Sequence, residues 1–174
     1  RLRITADYYY KKTTDLLNTV SLPSSSGYKS TVRNIGSISN QGVELLIEGD
    51  VVQNKDFGLT LQFNIAHNKN RVEELADGKD ILGTTYSNYG SGSITIIREG
   101  EPLGAFYVYK DTGLDENGSL SYEDMNGDGQ YTDTEDRYIA GSPFPDFTYG
   151  LNCGIRYKNW DFNFFLQGSQ GNDV

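Results

Sequence analysis

Apolar and polar residues alternate along five long segments of the chain. In the first, Leu2, Ile4, Ala6, Tyr8 and Tyr10 share one face, opposite Arg1, Arg3, Thr5, Asp7, Tyr9 and Lys11. The second sets Val43, Leu45, Ile47 and Val51 against Glu44, Glu48 and Asp50, with Leu46 as the exception. Leu59, Leu61, Phe63 and Ile65 oppose Thr60, Gln62, Asn64 and Ala66 in the third, and in the fourth Phe147, Tyr149, Leu151, Cys153, Ile155 and Tyr157 oppose Thr148, Gly150, Asn152, Gly154 and Arg156. In the last, Trp160, Phe162, Phe164 and Leu166 oppose Asp161, Asn163 and Gln167, and Phe165 breaks the polar row. Period two is the side-chain repeat of a β-strand. The pattern therefore predicts strands near 1–12, 43–52, 57–68, 147–158 and 160–168.

The connections alternate as well. Val52-Gln-Asn-Lys-Asp56 and Lys158-Asn159 are short enough for hairpins, whereas the first two strands are far apart and a long loop, 69–146, separates the third from the fourth. Short turns at one end and long loops at the other are the layout of an outer-membrane barrel, with periplasmic turns and extracellular loops. A soluble β-sandwich alternates apolar-in with polar-out too. Two details favour the membrane. Tyr8, Tyr10, Tyr149, Tyr157 and Trp160 lie near strand ends on the apolar face, where aromatic girdles meet headgroups. The strands also exceed the roughly five or six residues usual in soluble sheets. The expected fold class is all-β, with antiparallel strands forming part of a large transmembrane β-barrel with long extracellular loops. Inside the long loop, 70–77 is expected to form a helical turn or two, and Ile94–Ile97 and Ala105–Tyr109 a small strand pair around Glu99-Gly-Glu-Pro102. The Ser/Gly-rich stretches 23–27 and 87–93 read as loop tips.

Composition agrees with strands and turns: twenty glycines, thirteen tyrosines and eight phenylalanines stand against one methionine and one tryptophan. The net charge is −9, and its location matters more than its size. Residues 111–136 contain nine acids and no Lys or Arg, while the rest of the chain balances fifteen acids against fifteen bases. Without clustered Lys and Arg, nucleic acid is excluded as an expected partner. Cys153 stands alone, with no second cysteine for a disulfide, and the spacing of Leu151 and Ile155 makes it an apolar packing residue. His67, the sole histidine, cannot build a usual zinc site alone. No apolar run approaches the length of a membrane helix, which leaves strand-spanning proteins untouched because a membrane strand needs only about 9 to 11 alternating residues. The chain begins inside a strand-like pattern and is expected to be a piece of something longer.

The acidic string Asp124-Met-Asn-Gly-Asp-Gly-Gln-Tyr-Thr-Asp-Thr-Glu-Asp136 has the spacing of an EF-hand loop. Asp124, Asn126, Asp128, Gln130 (through its carbonyl), Thr132 and Glu135 fall on the ligand positions, Gly129 on the sharp turn, and Asp136 competes with Glu135 for the closing carboxylate. A hard cation wants six to eight oxygens, so the expected ion is Ca²⁺. The flanking helices of an EF-hand are missing, and the same residues also read as a tight polar turn in which Asn and Gly supply positive φ. Acid pairs this close on a loop hold no fixed separation for glycoside chemistry, so the chain is expected not to be an enzyme. The expected functions are therefore a membrane barrel carrying the acidic string in an external loop or, as the alternative, a secreted calcium-stabilised β-sandwich that binds carbohydrate.

Six stretches carry a family resemblance. Asp7-Tyr-Tyr-Tyr-Lys-Lys-Thr-Thr-Asp-Leu-Leu17, Asn34-Ile-Gly-Ser-Ile-Ser-Asn-Gln-Gly-Val-Glu-Leu45, Ile97-Arg-Glu-Gly-Glu-Pro-Leu-Gly-Ala-Phe-Tyr107, the Asp-x-Asn-Gly-Asp-Gly loop, Pro143-Phe-Pro-Asp-Phe-Thr-Tyr-Gly150 and Phe164-Phe-Leu-Gln-Gly-Ser-Gln-Gly-Asn-Asp173 resemble, in order, the C-terminal half of TonB-linked outer-membrane transporters of the SusC/RagA type. The resemblance implies a plugged barrel of roughly twenty-two strands in the cell outer membrane. It further implies import of oligosaccharide or peptide with energy from the TonB complex, and a SusD-like lipoprotein as lid. The plug, the TonB-contacting segment and the final strand that the resemblance implies are expected to lie outside this chain. The apolar row is then expected to face lipid, and Thr60, Gln62, Asn64, Asn152, Arg156 and Asn163 to line the lumen.

Overall fold

A computed structural model describes residues 1–21, 30–83, 92–132 and 135–173, with the side chains of 18–21, 30–33 and 35 left aside. Eleven strands, and no helix, occur among these residues. They are β1 (Leu2–Ser21), β2 (Ser30–Gln53), β3 (Phe57–Leu75), β4 (Ile81–Leu82), β5 (Thr95–Ile97), β6 (Ala105–Tyr109), β7 (Asp111–Leu114), β8 (Leu120–Tyr122), β9 (Arg137–Gly141), β10 (Phe147–Tyr157) and β11 (Trp160–Gln170). By its contacts the chain divides into two units, one of 1–13, 39–70 and 144–173 and one built from 14–38 and 71–143.

The strands expected from alternation pair as neighbours in one five-stranded sheet of order β1-β2-β3-β10-β11. β10 is antiparallel to both β3 and β11. Contacts that descend β2 as they ascend β1, from Arg1 with Asp50 through Arg3 with Glu48 to Asp15 with Asn34, have the antiparallel sense too. Two tight turns close this unit's hairpins. Asn54 accepts the amides of Asp56 and Phe57 at 3.3 and 2.9 Å between β2 and β3, and Lys158, with φ of 53°, turns β10 into β11. The Lys158 amide donates to the Asp56 carbonyl at 2.7 Å, tying one turn to the other.

β1 and β2 run well past the expected 1–12 and 43–52, reaching Ser21 and starting at Ser30. β3 likewise passes 68 and ends at Leu75, so the helical turn expected over 70–77 does not form. Its residues have a better partner. The Val72 amide donates to the Glu101 carbonyl and the Gly100 amide to the Val72 carbonyl, both at 2.9 Å, while the Leu75 amide donates to Glu99 Oε1 at 2.7 Å. Val72 and Leu75 are buried, and this ladder and burial outweigh the helix propensity of Glu73-Glu74-Leu75-Ala76. Gly36, with φ of 127°, sits where any Cβ would fall on the Glu74 carbonyl oxygen, so only glycine permits this approach of β2 and β3.

The 69–146 loop is itself structured. It holds a four-stranded sheet of order β4-β5-β6-β9 and the β7-β8 hairpin. The expected pair around Glu99–Pro102 is β5 and β6, joined antiparallel through Thr95 with Phe106 and Ile96 with Ala105. Ile96, Ala105 and Tyr107 form its buried core, with Ile139 packed against them. Arg98 spans the rim, its Nε 2.8 Å from Asp80 Oδ2 and its guanidinium 5.1 Å above the Tyr107 ring. The loop tips expected at 23–27 and most of 87–93 lie outside the described residues.

Candidate functional site

The register of the five-stranded sheet sorts its side chains into two faces. On one, the rungs read Phe57–Tyr157–Trp160, Leu59–Ile155–Phe162, Leu61–Cys153–Phe164 and Phe63–Leu151–Leu166. On the other they read Gly58–Arg156–Asp161, Thr60–Gly154–Asn163, Gln62–Asn152–Phe165 and Asn64–Gly150–Gln167. One face is apolar and the other polar across three strands.

The apolar face is open. Trp160 is 79% exposed, Tyr8 70%, Leu2 69% and Phe162 60%, although a sandwich would bury these residues against a second sheet. The β-sandwich alternative is thereby contradicted. The five-stranded sheet thus leaves a row of large apolar side chains uncovered, as water-soluble proteins rarely do. A groove of about 430 Å³ between Tyr8, Val43, Ile65, His67 and Phe147 lies on it. There His67 is fixed by a 2.6 Å contact of Nδ1 with the Asp146 carbonyl and by packing on Phe147, with ring centroids 5.2 Å apart. Cys153 is buried between its neighbours, in the packing role its spacing indicated.

The polar face gathers the side chains expected to line a lumen. Thr60, Gln62, Asn152, Arg156 and Asn163 line one depression of about 320 Å³ together with Asp50 and Asp161. Asn64 belongs to a neighbouring one. Thr60 donates to Asp50 Oδ1 at 3.1 Å and Arg156 to the Asn54 carbonyl at 3.3 Å. Further along the same face lies a network that alternation alone did not single out. Tyr9 reaches across Gly42 to donate to Asn68 Oδ1 at 2.9 Å, and Asn70 donates to Asn40 Oδ1 at 2.9 Å. The signal was present in the sequence as Asn40, Gly42, Asn68 and Asn70 at two-residue spacing.

The acidic string occupies the connection between β8 and β9. Asp124 turns both oxygens inward: Oδ1 accepts the amides of Gly127 and Asp128 at 2.7 and 3.3 Å, and Oδ2 accepts that of Gly129 at 2.7 Å. Asn126 Oδ1 accepts the Asp128 amide at 3.0 Å and Asp128 Oδ1 that of Gln130 at 2.8 Å. The two candidates for the closing carboxylate sit in different surroundings. Asp136 is fully buried and accepts the Thr132 amide at 2.7 Å and the Met125 amide at 3.0 Å, whereas Glu135 stays exposed and accepts from Asn126 Nδ2 at 3.1 Å. Among the described residues no three His, Cys, Asp or Glu side chains converge to hold a metal ion. The side-chain oxygens of Asp124, Asn126, Asp128 and Asp136 serve the loop's own main chain, and the Thr132 hydroxyl donates to Asp136 Oδ2 at 3.4 Å.

The Thr132 amide, opposed by burial and assisted by the Met125 amide, holds the Asp136 carboxyl below its ordinary value of 3.8. A depressed carboxyl contributes stability that is present above the unfolded value and lost as pH falls through the folded one. The amides of Thr132 and Met125 are therefore expected to exchange slowly with solvent hydrogen at any pH above 3.8 and to lose protection below it. In Asp136→Ala the protection is expected to be absent throughout. Equal protection in the variant would contradict this role.

A family model for the TonB dependent receptor-like β-barrel matches residues 1–172. The chain belongs to that family. A TonB-dependent receptor of Formosa agariphila is 37% identical over 191 residues, covering 100% of this chain and 19% of the relative. The TonB-dependent receptor SusC of Bacteroides thetaiotaomicron is 36% identical over 177 residues, covering 97% and 17%. Among solved structures, the RagAB peptide transporter superposes with a TM-score of 0.79 at 27% identity, over 96% of this chain and 18% of that one. This receptor-family chain thus spans about a fifth of the length of the curated relatives it matches. Its open five-stranded sheet is a section of such a barrel wall, and its relatives are receptors and transporters.

Proposed function

We propose that the chain forms part of the wall and the external loops of an outer-membrane nutrient importer. The exposed apolar face meets lipid, the polar face meets the lumen, and the structured 69–146 loop stands on the extracellular side. Oligosaccharide or peptide passes inward with energy from the TonB complex, delivered through segments outside this chain, and a SusD-like lipoprotein closes over the external loops. The work is transport, not catalysis. The observation that carries the reading is the open apolar face, because an uncovered surface of Leu, Ile, Phe and aromatic-girdle residues is stable only against hydrocarbon. Adjacent residues of β10 test it. Leu151→Arg is expected to destabilise the membrane-inserted protein by about 2–4 kcal/mol and to lower its level in the outer membrane, while Asn152→Arg leaves both near wild type. Equal effects at the two positions would sink the assignment of faces.

Calcium in the acidic loop is a separate proposal, supported by the spacing of Asp124, Asn126, Asp128, Gln130, Thr132 and Glu135. Binding would require Asp124 and Asp128 to exchange main-chain donors for the ion. Terbium luminescence sensitised by Tyr131 is expected to saturate, to be displaced by calcium, and to vanish in Asp128→Asn. A flat titration would rule the cation out.

A further inference from the structure

The apolar face changes character at the end away from the short turns. On β3 the row that runs from Phe57 to Ile65 continues as His67 and Lys69, on β1 Tyr8 and Tyr10 are followed by Lys12, and on β2 Val43 is preceded by Gln41. Within this unit the acids of the same three strands, Asp7, Glu44, Glu48 and Asp50, all stand in the opposite, polar row. Lys12 and Lys69 are exposed on a face that offers them no carboxylate. β2, β3 and β10 each have a strand on both sides, so the change at Gln41, His67 and Lys69 belongs to the wall itself and not to the edges of this section.

From these features we infer that the groove of about 430 Å³ lined by Ala6, Tyr8, Leu45, Ile65, His67 and Phe147 is a binding site for a phosphorylated lipid of the outer leaflet. One acyl chain lies in the groove, and the phosphate meets Lys69 and Lys12. The inference rests on reading this face as lipid-facing and the short turns as periplasmic, and it adds which lipid the wall selects. Depth places the cations. From Phe57 to His67 the strand climbs about 33 Å at about 3.3 Å per residue, which a tilt of about 40° turns into a height of about 25 Å, the height of a barrel's apolar band. His67 and Lys69 therefore reach the level of the headgroups. The groove is open because Ala6 is the small residue of its row and because Tyr149, on the rung of Ile65, lies over Gly168, where a Cβ would come within 2.7 Å of its ring. His67 closes the upper end. Its Nδ1 lies 2.6 Å from the Asp146 carbonyl, which can only accept, so Nδ1 carries the proton and the neutral ring leaves Nε2 to accept from a headgroup hydroxyl or amide. Acyl chains are common to every lipid and are no more apolar than the wall, so the groove alone selects nothing. Charge does: lysines without acids favour phosphate over a zwitterionic headgroup.

The test titrates the intact receptor, purified in detergent and stripped of bound lipid, with diphosphoryl lipid A, its dephosphorylated form, phosphatidylethanolamine and inorganic phosphate, and reads occupancy by native mass spectrometry. Diphosphoryl lipid A is expected to bind wild type in preference to the other three. Lys69→Gln is expected to weaken it about fivefold and Lys12→Gln with Lys69→Gln about thirtyfold, at an unchanged lipid-free melting temperature. Ala6→Leu keeps both lysines, fills the groove and is expected to weaken the same lipid. The site is overturned if dephosphorylated lipid A or phosphatidylethanolamine binds wild type as tightly, if inorganic phosphate displaces the lipid, or if the double variant binds like wild type. It is overturned too if the substitutions alter only the receptor's oligomeric state, which would make this face a contact between two copies of the chain. The importer reading fails on a different readout, the absence of wild-type receptor from the outer-membrane fraction, which is independent of any change at Ala6, Lys12 or Lys69.

Discussion

A backbone that crosses hydrocarbon has no water to satisfy its N–H and C=O groups, and each one left unpaired costs several kcal/mol in that medium. The five-stranded sheet answers this with long strands whose interior members are paired on both sides. β10 is bonded along its whole length, to β3 from Tyr157 back to Thr148 and to β11 from Tyr157 back to Phe147. Once the main chain is consumed in this way, only side chains remain to distinguish the two faces. The period-two pattern does so by giving one face to Leu, Ile, Phe and girdle aromatics and the other to Asn, Gln, Thr and paired charges. β1 and β11 are the edges of this section of wall, since five strands are too few to close a barrel.

The loop chemistry follows a different rule. Outside hydrocarbon a main-chain amide can be satisfied by any oxygen, and the 111–136 segment uses carboxylates for that purpose. Asp115 accepts the amides of Asn117 and Ser119 in the β7-β8 turn, as Asp124 and Asp136 do in the following loop. The concentrated negative charge is thereby partly structural: several of the nine acids are internal caps of turns. Gly127 and Gly129, with φ of 76° and 79°, supply the left-handed steps between them.

The sequence disclosed the part of the fold that has two different environments. β10 was legible almost to the residue, because Phe147 to Tyr157 alternates without a break and Lys158-Asn159 can only turn. The outer halves of β1 and β2 were not legible. Past Tyr10 and before Val43, Lys11-Lys12-Thr13-Thr14 and Ser37 to Gly42 carry no apolar row even though they are extended, and the side chains buried there, Ser37 and Ser39, are polar. Residues 70–75 misled for a related reason, since Glu73, Glu74 and Leu75 have helical propensity and the partner that overrides it, the 98–101 turn, is distant in sequence. In the acidic loop the spacing identified every candidate, but only three-dimensional burial separates Asp136 from Glu135. Phe165 was visible as an exception to the polar row, but its place beside Gly150 was not, because that residue sits on another strand.

The central claim is that β10 has one face in lipid and one in water. It is tested most directly by placing single nitroxide labels at successive positions 148 to 156, with Cys153 replaced by alanine, in the receptor reconstituted in bilayers. The account predicts a period-two record in which labels at 149, 151 and 155 are accessible to oxygen dissolved in hydrocarbon, and labels at 148, 152 and 156 to a water-soluble nickel chelate. A record without alternation, or one in which the odd positions are shielded from both reagents as in a buried core, would contradict it.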